Sequence, residues 1–382
     1  MRLVFDGHLD LAWNALSWGR DQTWTLDRIN AYEQGLIDHP ARRRATTCLP
    51  EMRAGRVAAC QATILVRSKP EVKRPEGHSR LSLDFPTQSI AHAVGRGQLA
   101  YYQLLERQGE IARILTVEDL DELWARWSGL AHANGSGSTA TLPIGVILAM
   151  EGADPITEPH EAQWWWDQGL RSVNLAHYGK SRYAVGTGDD GPLTPDGVAL
   201  LKEFERLGMI LDATHLSDTS FHEALDRFGG PVLASHNNCR RLVPNPRQFD
   251  EDQIRKLVQR GAVIGVALDA WMLSPGWIIG QTSREVVRFE ALVDHIDLIC
   301  QIAGNTAHVA IGSDLDGGFG TEQVPSGLDT IAGLQQLGEI LHRHKYTSAE
   351  IDGILHGNWL RFFRQHLPRR VRPTTHREAA PS

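Results

Sequence analysis

The sequence predicts an α/β fold: a (β/α)₈ barrel of the TIM type, built as a single domain with loop insertions. Three observations predict it. Short β-rich apolar runs recur eight times along the chain, amphipathic helical stretches separate most of them, and ionisable residues gather at the C-terminal ends of the runs. A length of 382 residues accommodates one such barrel with insertions.

The runs are Leu3–Phe5, Cys60–Val66, Ile144–Met150, Ser172–Leu175, Met209–Ala213, Val232–Ser235, Ala262–Leu268 and Val309–Gly312. Most are continuously apolar, the pattern of parallel strands buried on both faces. Between them, Pro195–Leu207, Ser217–Phe228, Asp250–Arg260 and Arg284–Ala303 carry helical periodicity. Thr194 ahead of Pro195 reads as an N-cap followed by proline at the first helical position. Thr116, followed by Glu118 and Asp119, opens another helix with acid in its first turn, where the helix dipole favours it. The alternative is an open doubly wound sheet, which the lack of a GxGxxG turn after the first strand disfavours.

The barrel is assigned to residues 1–366, and the polar stretch 367–382 is expected to be a disordered tail. Residues 67–86, rich in Pro, Arg and Glu, are expected to form a long loop, and Ala133–Thr141 a Gly/Ser linker. The Trp- and Gly-rich stretch 268–283 is expected either to shape a lid over a pocket or to pack against a second copy of the chain as a homodimer. A net charge of −7 without a basic stripe argues against a nucleic-acid partner. No stretch of 18 apolar residues is present to span a membrane, and the N-terminus reaches Asp6 without the apolar core of a signal peptide. Cys48, Cys60, Cys239 and Cys300 form no CxxC pair. Buried thiols in a reducing compartment, the cytoplasm, are the expectation.

In a barrel, chemistry sits where the strands end. The first run leads into His8 and Asp10, the third into Glu151, the fourth into His177, the fifth into His215, the sixth into His236 and the eighth into Asp314. A His-x-Asp pair alone carries little weight, because with 17 histidines one is expected about once by chance. His295-Ile-Asp297 is such a decoy: it falls in a helical stretch, where residues two apart do not share a face. His8 and Asp10 lie on a strand, where residues two apart point the same way and can bind one ion. Imidazole and carboxylate together suit Zn²⁺ and similar ions. Three histidines and two carboxylates exceed the three protein ligands of one catalytic zinc. They suit two ions bridged by Glu151, able to hold a hydroxide between them and polarise a carbonyl.

The sequence resembles the membrane (renal) dipeptidase family of zinc peptidases, soluble bacterial members included. The resemblance rests on DGHLD at 6–10, EGAD at 151–154, NLAHYG at 174–179, LTPDG at 193–197, DATHLSD at 212–218, the stretch from ASHNN at 234 to DEDQI at 254, IGSDLDG at 311–317 and HGNWLRFF at 356–363. It implies a metal-dependent hydrolase barrel that cleaves dipeptides, L-Xaa-D-Xaa included. It also implies residue roles: His8, Asp10 and Glu151 on one zinc, and Glu151, His215 and His236 on the other. His177 would sit at the scissile carbonyl oxygen, Arg247 on the substrate carboxylate, and Asp314 would act as proton shuttle. Two departures stand beside these positions. Asn237 follows His236 where the family usually has serine, and Gln248 follows Arg247 where it usually has asparagine. Competing readings are an amidohydrolase barrel acting on a cyclic amide or lactone, a non-peptidase pathway enzyme on the same scaffold, and a pure binding protein. The first commonly carries HxH on strand one and a modified lysine as bridge; here strand one carries His8-x-Asp10, and the third run ends in Glu151 with no lysine nearby. The site positions needed for metal are intact, which disfavours the last.

Overall fold

The computed structural model describes residues 1–72, 79–132 and 141–370, and every one of the eight apolar runs overlaps a strand, which extends two to four residues past one end of the first, second and fourth runs. In chain order the strands are β1 (Val4–Leu9), β2 (Val57–Leu65), β3 (Arg67–Ser68), β4 (Asp84–Phe85), β5 (Ile111–Arg113), β6 (Ile144–Glu151), β7 (Leu170–Val173), β8 (Ile210–Asp212), β9 (Val232–Leu233), β10 (Ile264–Val266) and β11 (Val309–Ile311).

β1, β2, β6, β7, β8 and β9 pair side by side in that order, all parallel, and form a half-barrel. The order never reverses. A doubly wound sheet has a reversal point, so that alternative is excluded for these strands. β10 and β11 pair in parallel, and a parallel bridge between Ala234 and Ile264 continues the order from β9 to β10. At the far edge the Asp314 N–H donates to the His8 carbonyl at 3.3 Å.

Helices cover the sheet, and their ends follow local chemistry. Pro195–Leu207 begins where expected, with the Thr194 hydroxyl accepting from the Gly197 N–H. Ser217 and Asp250 cap the helices Asp218–Arg227 and Glu251–Gln259 in the same way, each cap contributing about 1 kcal/mol. The stretch Arg284–Ala303 differs from expectation. It is a 3₁₀ turn at Arg284–Val286, an extended Val287, and a helix at Ala291–Ala303. Val287 accepts from the Ser326 N–H at 2.8 Å and Phe289 donates to Ser326 at 3.2 Å. The Val287 carbonyl and the Phe289 N–H thus pair with Ser326 in strand-like fashion instead of continuing a helix, where the β-branched Val287 would lose χ1 freedom.

The insertions also carry more structure than expected. β3 and β4 pair inside 67–86; outside the insertions, a further short strand, β5, pairs with the first residues of β6. Residues 73–78 of that insertion, and 133–140 of the Gly/Ser linker, lie outside the described residues. Of the tail, residues 367–370 hold to the helix Val117–His132. The Val117 N–H donates to the Pro368 carbonyl at 3.0 Å, and Arg370 pairs with Asp119 at 2.7 Å and Glu122 at 3.0 Å. Residues 371–382 lie outside the described residues.

Two features fix the rim that carries the candidate site. First, the helix Gln88–Arg107 turns Gln98 and Tyr102 inward onto the end of β2. Gln98 donates to the Leu65 carbonyl at 2.8 Å and accepts from its N–H at 2.7 Å, while the Tyr102 hydroxyl joins Thr63 to Ala12. These bonds satisfy buried backbone groups that the strand ladder leaves over. Second, the Ser235 carbonyl oxygen points among three glycines. A Cβ on Gly312, Gly265 or Gly7 would lie 1.8, 2.0 or 2.7 Å from it. Gly7 also faces the buried indole of Trp359, whose N–H donates to the Ile311 carbonyl at 2.8 Å. Removing that indole would cost about 3–5 kcal/mol by the usual cost of a core aromatic.

Candidate metal centre

His8 and Asp10 leave the end of β1, Glu151 ends β6, and His177, His215, His236 and Asp314 follow β7, β8, β9 and β11. The structure brings all seven to one cleft. His8 Nε2 stands 3.6 Å from Asp10, 3.5 Å from Glu151 and 3.8 Å from Asp314. The other oxygen of Glu151 stands 3.0 Å from His215 Nε2, 3.3 Å from His236 Nε2 and 3.7 Å from His177 Nε2. His215 and His236 approach each other at 3.1 Å between Nε2 atoms. Three overlapping trios therefore have metal-ligand spacing: His8–Glu151–His236, Glu151–His177–His215 and His8–Asp10–Asp314.

The atoms fit a cation. His8 Nε2 is buried and has no hydrogen-bond partner, although three carboxylates surround it. Distances of 3.5–3.8 Å are too long for hydrogen bonds and match the separation of two ligands on one ion. The rings are aimed from behind. The Thr187 hydroxyl lies 2.9 Å from His215 Nδ1 and 3.3 Å from the His215 carbonyl; with its own proton on the carbonyl it can accept from Nδ1–H, the tautomer that leaves the Nε2 lone pair free. Ser235 meets His236 Nδ1 at 2.9 Å and His8 Nδ1 at 3.4 Å. Thr63 donates to Asp10. Asp6 accepts from the backbone of His8 and Ser313, and Asp212 from that of Thr214 and Ser235, tying neighbouring strand ends together.

The electrostatics point the same way. Burial pushes the carboxyls of Glu151 and Asp314 up; His8 opposes this in both, and Asp10 adds to it. His8 is held well above its ordinary range: burial acts against the charge, but Glu151 and Asp10 outweigh it. Burial drives His177, His215 and His236 well below the ordinary range; nearby cations, Arg247 in every case, add to it. Carboxyls that crowd one another, and a His8 drawn by them toward its charged form, mark a pocket of concentrated negative charge that a cation would relieve. Backbone strain marks the same spot: His215 and Asp314 have φ of +68° and +59°, a left-handed conformation costly for residues with a side chain.

Arg247 is buried, and its guanidinium opens on the same cleft, which has room for about 230 Å³. Trp271 and Met272 line it, so part of the stretch 268–283 shapes the pocket, while Ile278 and Ile279 are exposed. His295 is a core histidine away from the site, accepting from the Cys239 N–H at 3.1 Å. Asp316, the second acid of GSDLDGG, faces away and binds Thr46 and Thr47. Sequence reasoning missed Arg67, Tyr178 and Asp269, which also line the cleft. The signal was present: the second and seventh apolar runs lead directly into Arg67 and Asp269.

A metal-ligating cluster at one rim of a parallel α/β sheet, opening on a small cleft, defines a metal-dependent hydrolase. The sequence profile of the membrane dipeptidase family, peptidase family M19, matches residues 2–372. The chain belongs to that family and is a metallopeptidase of the dipeptidase class. It is 31% identical over 228 residues to an uncharacterized protein of the pqqA 5′ region of Klebsiella pneumoniae, covering 57% of this chain and 80% of that one. It is 28% identical to dipeptidase verJ of Clonostachys rogersoniana, covering 86% of this chain and 75% of that one. Against two uncharacterized dipeptidases of Schizosaccharomyces pombe the match spans about half, 53%, of their length. Among solved structures, a metallo peptidase from Rhodobacter sphaeroides liganded with a phosphinate mimic of the dipeptide L-Ala-D-Ala shares the fold. It has a TM-score of 0.74 and 21% identity, covering 96% of this chain and 99% of that one. Among the described residues, no helix is long and apolar enough to cross a membrane.

Proposed function

We propose that the chain hydrolyses dipeptides, L-Xaa-D-Xaa included, with two zinc ions bridged by Glu151. The observation that carries this reading is the division of the Glu151 carboxylate. One oxygen faces His8 at 3.5 Å and the other faces His215 and His236 at 3.0 and 3.3 Å. His8, Asp10 and Glu151 would hold one ion; Glu151, His215 and His236 the other. Bound there, the ions supply an activated water, as hydroxide, and Lewis-acid polarisation of the scissile carbonyl.

The chain's own residues do the rest. Arg247 grips the substrate's terminal carboxylate in a bidentate fork. A peptide continuing past that residue has no carboxylate to offer, so tripeptides are poor substrates. His177 donates to the scissile carbonyl oxygen. Asp314 takes the proton of the attacking water and delivers it to the leaving amine. We also propose that the strands close into a complete (β/α)₈ barrel, supported by the bond from Asp314 to His8. The four unpaired cysteines are consistent with the cytoplasm, and a homodimer contact would fall at the exposed Ile278, Ile279 and Val286.

Stereodefined dipeptide kinetics on zinc-loaded protein test the substrate reading. The expected result is turnover of L-Xaa-D-Xaa at rates comparable to or above L-Xaa-L-Xaa, with D-Xaa rejected at the N-terminal position. Strict L,L preference, or good turnover of tripeptides or C-terminal amides, would overturn it.

A further inference from the structure

His177 stands where two different roles are open to it. Its Nε2 lies 3.7 Å from Glu151 and belongs to a trio with metal-ligand spacing, so it could ligate; or it could carry a proton and donate to the substrate. What lies behind the ring decides between them. His177 Nδ1 is 3.3 Å from Nη1 of Arg67. A guanidinium has five donors and no acceptor, so this contact forms only if Nδ1 offers its lone pair. A neutral imidazole that accepts at Nδ1 has its proton on Nε2 and no lone pair there. His215 contrasts with it, since the Thr187 hydroxyl behind that ring is able to accept from Nδ1–H, which a guanidinium cannot do, and so permits Nε2 to ligate.

The arginine is itself held in place. Its Nε donates to Asp84 at 2.7 Å across the paired strands β3 and β4, and the next residue, Ser68, donates its N–H to the buried Asp154 at 2.8 Å. The insertion at 67–86 thus delivers one fixed cation to the back of one ring, 110 residues further along the chain.

We propose that Arg67 is a positioning residue that sets the tautomer of His177, keeping it out of the metal-ligand set and presenting Nε2–H as a hydrogen-bond donor toward the cleft. The part of this that concerns substrate rests on the dipeptidase reading above. The tautomer does not, and is measured separately.

Long-range ¹H–¹⁵N spectra of zinc-loaded protein labelled at histidine nitrogen, with His177 assigned through His177→Gln, are expected to show its Nδ1 unprotonated and its Nε2 protonated and unligated. A protonated Nδ1, or a metal-bound Nε2, overturns the proposal whatever the enzyme's activity. Arg67→Met is expected to lower kcat for dipeptides roughly 10-fold or more at unchanged metal content, as loss of an aimed donor does. Arg67→Lys, which keeps a donor and no acceptor, is expected to recover most of it. Loss of metal in step with activity in Arg67→Met, activity within twofold of the parent, or no rescue by lysine would each overturn the positioning role. Failure of the parent protein to cleave any dipeptide would sink the substrate reading alone, with the tautomer still decided by the spectra.

Discussion

Arg247 and Asn237 meet head to head. One guanidinium nitrogen donates to the Asn237 side-chain oxygen, and the other donates to the His236 carbonyl at 3.0 Å. The residue that stands where the resemblance gives serine is therefore one of the two groups that aim the arginine. Asn237→Ala is expected to lower kcat/KM by about 1 kcal/mol, mostly through KM, because the charge remains but its direction loosens. Arg247→Lys should lose about 1.5–3 kcal/mol, since an ammonium cannot reproduce the fork. Steady-state kinetics on one dipeptide check both; an Asn237→Ala enzyme with unchanged KM would remove the asparagine from substrate recognition.

Metal stoichiometry follows from the two-sided environment of Glu151. Elemental analysis of zinc-dialysed protein should give about two ions per chain. Glu151→Ala should weaken both, and His8→Ala should empty mainly one. One ion at full activity would contradict the bridged arrangement.

Asp314→Asn keeps the size of the side chain and removes its capacity to relay a proton. Turnover should fall roughly 10²-fold with zinc still bound. A near-normal rate at full metal content would assign the proton transfer elsewhere.

His295 supplies a pH test away from the metal. Burial lowers its pKa to about 4, while an unfolded histidine titrates near 6.5. A depressed histidine resists the proton that the unfolded chain accepts. Its share of stability is whole above about pH 6.5 and drains away as the pH falls toward about 4, on the order of 3 kcal/mol in all. Thermal melts of His295→Gln, which can still accept from the Cys239 N–H, should show a shallower acid limb across that window. An identical limb would place the acid sensitivity in other groups.

Much of the fold was legible because its signals are local. Thr194, Ser217 and Asp250 each cap a helix at the position their sequence context indicates, and strands buried on both faces read as unbroken apolar runs. The convergence of His8, Asp10, Glu151, His177, His215, His236 and Asp314 on one cleft was legible for a different reason: they end or follow strands that lie side by side and parallel, so position along each run predicts position in space. What escaped depends on pairing at a distance. Nothing near Arg67 announces His177, and nothing near Val287 announces Ser326, which breaks the stretch 284–303 into two. Arg67 and Asp269 follow the other two runs: Asp269 was legible by the same rule as Asp314, whereas Arg67 is a cation that a metal-ligand pattern does not announce.

The three glycines around the Ser235 carbonyl set a boundary for anyone who would redesign this enzyme. Gly7 precedes His8, Gly312 lies two residues before Asp314, and Gly265 sits within β10. A randomised library that touches any of them would mostly return chains that push Ser235, and with it His236, out of alignment. New specificity has to be sought further out, at Trp271, Met272 and Tyr178, where side chains line the cleft without sharing that crowded axis.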